Sequence, residues 1–433
     1  MMSDTTPTVS APADRQARYA LILLTTVYAL GYADRNIINL LLEPIKAEFQ
    51  LSDLVLGMIT GLGFTAFQVV LGIPIARWAD SAKRVYILAG GLMMWSVMTG
   101  LSGLAASAAL LAVTRMGVGV GEACLTGPSH SLLSDFYAPE RRPRAFSIMA
   151  AGGEIGIIAA LLIGGWVSHA YGWRAAFVVA GMPGALLSLL LVATLKEPLR
   201  GGADDKPAAQ VKLSFAEAFG VLWRQKSFVL TVLASMVMGL QFFAMQVWGP
   251  AFLKRIYHLN TAEIGSLMAI IRTVLAVSGA LLGGYLASLM VARRGPSWFT
   301  RFPALACLGA GLTMIAFLFS PSLPVAIVFL ALVNLAVGMQ LGPVFSAVQM
   351  VAPVSCRGFA AAIFVSLTQL FGLGIGSVIV GGISDLLTAQ YGDEALRYAL
   401  LVPAAGAIVG GALYWIAGDF VARDIDRAQH NRA

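Results

Sequence analysis

Runs of about 20 apolar residues recur along this chain from one end to the other, each long enough to cross a hydrocarbon core of roughly 30 Å as a helix. Twelve runs fall at about 19–43, 54–77, 85–107, 109–133, 144–168, 174–195, 227–252, 262–290, 299–320, 322–350, 358–388 and 396–421. In lipid every backbone N–H and C=O must be paired within the protein, so such runs predict helices and exclude lipid-facing loops and open sheet edges. Of the 433 residues only 12% are charged and 58% are hydrophobic, against about 25% charged in a soluble domain. The pattern predicts an all-α, multi-pass membrane protein with twelve transmembrane helices.

The formal net charge of +7 would suit a nucleic-acid binder, but its distribution reads otherwise. With the N-terminus inside, 21 of the 29 Lys and Arg fall on the inner side, five (Lys46, Arg174, Lys254, Arg255 and Arg397) on the outer side, and three within spans. That is the positive-inside bias; it predicts cytoplasmic termini and gives no reason to expect nucleic acid as a partner. Residues 1–17 are polar and lack the apolar core of a cleavable signal peptide. Cys124, Cys307 and Cys356 fall in or beside spans with neither metal spacing nor a disulfide framework. There is no phosphate-binding loop, dinucleotide fingerprint or metal-ligand cluster. No cofactor, metal or enzymatic chemistry is therefore expected.

Residues 197–226 form the one long polar stretch between spans, rich in basic charge and expected on the inner side. As a linker it separates 18–196 from 227–421, six spans each, flanked by tails 1–17 and 422–433. The halves echo each other: Ala138-Pro139 with Arg144-Ala145-Phe146 recurs as Ala352-Pro353 with Arg357-Gly358-Phe359, Gly164-Gly165 as Gly381-Gly382, and Tyr171-Gly172 as Tyr391-Gly392. Two copies of one six-helix unit are a transporter architecture, with substrate held near the bilayer midplane. The stretch Gly72-Ile73-Pro74-Ile75-Ala76-Arg77-Trp78-Ala79-Asp80-Ser81-Ala82-Lys83-Arg84 resembles the loop signature of the major facilitator superfamily. In that signature an acid and nearby basic residues latch the inner gate. Asp80 and Arg84 match it, while Ala76 and Ser81 replace the usual glycine and arginine. The resemblance implies gating roles for Asp80, Arg84 and, at the next inner loop, Arg144. Ordinary positive-inside charge accounts for the basic residues but not for Asp80.

The first run carries Asp34-Arg35 in its interior, although a charge at bilayer depth costs about 3 kcal/mol. Tyr28, Tyr32, Arg35 and Asn39 fall within a narrow helical arc. In the fourth run Arg115 and Glu122 are seven residues apart, about 20° of arc, and share a face with Gly119, Thr126 and Ser129. The simplest arrangement pairs Arg35 with Glu122 and leaves Asp34 on the flank. A permanent structural ion pair is the alternative, since buried pairs often only break even. Three charges do not neutralise in pairs, however, so one acid stays free to carry a proton or needs Arg115. Asp34, Glu122 and Arg35 are thus the proton-coupling candidates, and Arg35, Arg115, Glu122, Tyr32, Asn39 and Thr126 candidate substrate contacts. Glu154, between glycines of the fifth run, is a second proton site or a hydrogen-bonded acid. Arg272, in the eighth run, binds an anionic group or pairs with an acid. Met245 and Trp248 lie on a Met/aromatic stripe of the seventh run that serves as core or adapts to apolar ligands.

Asp34-Arg35, together with Arg115 and the Gly119-Val120-Gly121-Glu122-Ala123 stretch, resembles the spinster family of lipid transporters. The resemblance covers the N-terminal half well and the C-terminal half as general fold. It implies alternating-access, proton-linked movement of an amphipathic anion such as a lysolipid or sphingoid phosphate. Organic-acid symport is the alternative within transport, and a non-transporting receptor or scaffold the one outside it. A monomer in a bacterial inner membrane is the expected setting.

Overall fold

The computed structural model describes residues 14–200, 215–353 and 356–430. Among them ten helical stretches are long and apolar enough to span a membrane: α2 (Asp53–Ala79), α3 (Arg84–Ser102), α4 (Ala108–Phe136), α5 (Arg142–Tyr171), α6 (Trp173–Thr194), α7 (Lys226–Tyr257), α8 (Thr261–Arg294), α9 (Trp298–Leu318), α10 (Leu323–Val351) and the 72-residue stretch Arg357–Ala428. The last contains two helices, α11 over 357–391 and α12 (Leu401–His430), joined by a short turn. The first span, α1 (Asp14–Leu40), has 27 residues and reaches about 40 Å at 1.5 Å per residue. It carries the adjacent charges Asp34 and Arg35 in its interior. The twelve predicted helices are all present, and the described residues contain no strand.

Three π-helical turns interrupt the spans: Met58–Leu62 in α2, Arg272–Ala276 in α8 and Leu370–Ile375 in α11. The first two begin 214 residues apart, the same offset that separates Ala138-Pro139 from Ala352-Pro353. A second break is in α4, which runs as a helix to Glu122, turns over Ala123–Leu125 and resumes at Thr126. Pro128, in the first turn of the resumed helix, has no N–H to donate to the carbonyl of Cys124, so no bond bridges the turn at that position.

The chain forms two compact units. The first comprises Met1–Ile37, Phe67–Ala160 and Arg174–Ala209, and the second Ile38–Ala66, Leu161–Trp173 and Gln210–Ala433. Relative to a cut in the linker, the second unit therefore takes in two short segments of the N-terminal half. Glycine contacts explain the membership. In the second unit a Cβ on Gly57 would press on the Ser377 carbonyl oxygen, and one on Gly61 on that of Leu373. The lower part of α2 thus packs backbone to backbone on α11, as small residues allow in lipid. Gly265 likewise abuts the Leu161 carbonyl, which carries residues 161–173 into the same unit. In the first unit Gly152 and Gly156, one turn apart on α5, press on the carbonyls of Thr25 and Ala29 in α1. That contact fixes the face of α1 on which Tyr32 and Arg35 stand.

The second unit has a core of its own near the basic end of its helices. The nine-residue helix Phe215–Trp223 buries Ala218 and Leu222 against Phe228, Val348, Val351 and Val421.

Candidate functional site

Arg35, on α1, bonds Glu122, on α4, inside the first unit. Its Nε donates to Glu122 Oε2 at 3.0 Å and its Nη2 donates to the same oxygen. Gln68 Nε2, from α2, donates a third and longer bond to Oε2 at 3.3 Å. These three donors therefore converge on one carboxylate oxygen. Glu122 is 1% exposed, and its Oε1 is buried without a hydrogen bond. The guanidinium of Arg35 also lies over the Tyr32 ring, 5.1 Å from its centroid, and Tyr32 stacks on Tyr28 at 6.1 Å. A Cβ on Gly153 would meet the Tyr32 ring at 3.1 Å, so α5 backs the aromatic that positions the arginine.

Asp34 lies one residue away and faces elsewhere. It is fully buried, and neither carboxyl oxygen makes a hydrogen bond. Trp95 and Thr99 of α3 and Arg115 of α4 surround it, and the Glu122 carboxyl acts on it electrostatically; the indole N–H and the hydroxyl stay outside hydrogen-bond geometry. Arg115, itself 1% exposed, reaches the backbone carbonyl of Asp34 with Nη1 at 3.4 Å. Two acids and two arginines thus share one buried region of the first unit, and only one of the carboxylates is hydrogen-bonded. Burying an ionised carboxylate without partners is among the costliest arrangements a protein can hold.

The turn at Ala123–Leu125 changes the reading of α4. Arg115 and Glu122 stay on one continuous helix, but Thr126 and Ser129 lie beyond the break and out of its phase. Thr126 is exposed beside the Tyr28 phenol, and its carbonyl bonds His130 Nδ1 at 2.8 Å. His130 also contacts the Tyr28 hydroxyl at 3.4 Å and the Phe146 ring at 5.2 Å. Asn39 is buried in the second unit, as are Met245 and Trp248; the Trp248 indole N–H bonds the Ser377 carbonyl at 3.3 Å. Arg272 is half-buried at the start of the π-turn of α8 and Glu154 exposed on α5.

Of the gate residues, the Asp80 side chain lies outside the described residues, and Arg144 is exposed. Arg84 is buried in the first unit. It donates to Asp135 Oδ2 at 2.6 Å, Glu197 Oε1 at 2.8 Å and Ser131 Oγ at 2.8 Å. Glu197 Oε2 also accepts the Val85 N–H at 3.0 Å, so the start of the linker is tied to the α3 N-terminus.

A second charged cluster, not foreseen from the sequence, belongs to the second unit. Asp53 Oδ1 accepts from Lys46 Nζ at 2.6 Å and Arg255 Nη2 at 2.7 Å. Its Oδ2 accepts from Arg255 Nη1 at 2.7 Å and Ser384 Oγ at 2.6 Å. Arg255 turns its Nε and Nη2 to Glu43 as well. Asp385 grips the N–H groups of Asp53 and Leu54, both at 2.8 Å, capping α2 from α11. These partners are more than 200 residues apart in places, beyond any local pattern. Gln68, Trp95 and Thr99 were missed for a different reason: a lone polar residue in an apolar run carries no periodic signal.

Twelve spans, an internal repeat and a buried acid–arginine group define a membrane transporter. The family model of the Major Facilitator Superfamily matches residues 24–376, and the chain belongs to that superfamily. It is 33% identical over 415 residues to an MFS-type efflux pump of Mycolicibacterium smegmatis, covering 95% of both chains. Protein spinster homolog 1 of Xenopus laevis is 25% identical over 437 residues, covering 94% of this chain and 82% of that protein. The crystal structure of a bacterial homologue of the human lysosomal transporter spinster, inward-facing and unoccupied, superposes with a TM-score of 0.87. Identity there is 26%, over 95% of this chain and 99% of that one. The protein is a spinster-like, multi-pass transporter of small molecules across a membrane, and not an enzyme.

Proposed function

We propose that this transporter couples protons to the movement of an amphipathic anion, with Glu122 and Asp34 as proton carriers and Arg35 as the switching partner. The observation that carries the reading is the one-sided satisfaction of Glu122: Arg35 and Gln68 engage Oε2, while Oε1 is bare. An anionic substrate group that draws Arg35 away leaves a buried carboxylate stripped of its arginine, and a proton is the cheapest replacement. The proton then leaves when Arg35 returns. Asp34, buried beside Arg115 without a hydrogen bond, is the second acid that makes the exchange possible within a cluster of two acids and two arginines. Because substrate and proton compete for one arginine–acid pair, their binding is linked by a reciprocal coupling free energy.

Tyr32 and Tyr28 beside Arg35 suit a ligand whose anionic head adjoins an apolar body, such as a lysolipid or sphingoid phosphate. Efflux is the direction in the named relative. A monomer in a bacterial inner membrane with cytoplasmic termini completes the reading, supported by the basic residues at one end of the helices. Asp80 and Arg144 serve the inner gate, with Arg84 holding the linker and the α3 N-terminus in register for it.

The test is flux in proteoliposomes under an imposed pH gradient, with lysolipids, sphingoid phosphates and organic acids as the panel. Wild type moves a lipid-like anion in response to the gradient; Glu122→Gln and Asp34→Asn bind it but no longer respond. Full gradient-driven transport by both variants would overturn the proton role, and transport confined to organic acids would overturn the substrate class.

A further inference from the structure

A cleft of about 490 Å³ opens at the end of the second unit's helices, where the α5–α6 and α7–α8 turns meet the short helix Leu42–Phe49. Its walls include Ser168, His169, Trp173, Lys254, His258 and Asn260, and no acidic residue lines it. Lys254, His169 and His258 make no hydrogen bond or ion pair among the described residues, whereas the neighbouring Arg255 is fully engaged with Glu43 and Asp53. The acids that bond lining residues are occupied in doing so. Glu48 takes the Trp173 indole N–H at 2.7 Å, and Glu263 closes a capping box with Asn260.

His258 is, with Gln50, one of the two non-glycine residues that hold a positive φ among the described residues. It ends α7 in the left-handed region, with φ 55°, where glycine is the usual residue and a side chain is strained. Strain retained at a cleft is an observation from which function can be inferred. Here it places an imidazole in the cleft that Lys254 also lines.

Two exposed aromatics fix the level of the cleft. Trp166 is 61% exposed and Tyr171 is 79% exposed, and both lie within the two turns of α5 that lead to its rim. Exposed Trp and Tyr at span ends mark the headgroup layer. We propose that this cleft is a binding site for the phosphate of an anionic phospholipid headgroup in the adjoining leaflet, held by Lys254, His258 and His169. The site is separate from the Arg35–Glu122 group and does not depend on the transported substrate.

The experiment is native mass spectrometry of the full-length protein in mild detergent with phosphatidylglycerol or phosphatidylcholine. One interfacial lysine contributes about a five-fold preference for an anionic lipid, so the wild type should retain phosphatidylglycerol over phosphatidylcholine by at least about that factor. Lys254→Gln and His258→Gly should each lower retention, and the double variant should abolish the preference. Because glycine suits φ 55°, His258→Gly should be as heat-stable as wild type, so its loss of lipid is not a folding defect. Arg293→Gln/Arg294→Gln, at the far end of α8, should keep the preference. Equal retention of both lipids by the wild type, or an unchanged preference in the Lys254/His258 double variant, would overturn the site. Inorganic phosphate displacing phosphatidylglycerol at equal concentration would overturn the lipid assignment in favour of a free anion.

Discussion

Two of the buried arginine–carboxylate groups of this transporter, at Asp53 and at Glu122, are built from the same chemistry and finished differently. Asp53 is fully buried, and both of its oxygens are saturated by Lys46, Arg255 and Ser384. Glu122 is almost as buried, yet its donors crowd onto one oxygen, and Asp34 beside it has none. A saturated buried carboxylate holds its segment in place, since removing one partner leaves several charges stranded. A half-satisfied one is under-determined and has a position open to a proton. Burial alone therefore does not separate Glu122 and Asp34 from Asp53; the number of unfilled acceptor sites does.

Four substitutions can break this contrast. The largest effect falls on Glu122→Gln, which should reduce pH-gradient-driven flux on the order of 100-fold while leaving the melting temperature unchanged or raised. Flux and thermal unfolding measured on one preparation would check both halves of that statement. Asp53→Ala should do the reverse in kind, costing about 3 kcal/mol of stability by stranding Arg255 and Lys46; a melting temperature equal to wild type would contradict it. Gly156→Ala should cost about 2 kcal/mol through overpacking, because its Cβ would lie against the Ala29 carbonyl. It should weaken substrate binding by tilting the α1 face that carries Tyr32 and Arg35, which a binding titration would reveal. The smallest effect belongs to Gln68→Ala. Loss of one long hydrogen bond, about 1 kcal/mol, should change substrate affinity a few-fold and leave the pH response in place.

Much of this was legible in the sequence, for reasons that also explain the rest. Helices were readable because lipid permits nothing else over twenty apolar residues. Asp34, Arg35 and Glu122 stood out because each is an energetic anomaly in its run, and the Arg35–Glu122 pairing followed from charge balance. The Thr126 and Ser129 extension of that face assumed an unbroken helix. Gly127-Pro128 was the signal against it, since Pro128 cannot bond the Cys124 carbonyl and the residue before a proline avoids helical backbone. The Asp53–Arg255–Asp385 cluster was illegible because end-of-helix charges look like topology markers until the fold brings them together. The π-turns gave no signal in composition, and only the shared offset of Met58 and Arg272 ties them to the repeat.

The central claim is that Glu122 and Asp34 change protonation in the working cycle while Asp53 does not. Infrared difference spectroscopy of the reconstituted protein, recorded as pH is stepped across the neutral range, reads the carboxyl band of protonated acids directly. The band should diminish in Glu122→Gln and in Asp34→Asn and be unaltered in Asp53→Asn. A band that persists in both of the first two variants, or vanishes in the third, would contradict the account.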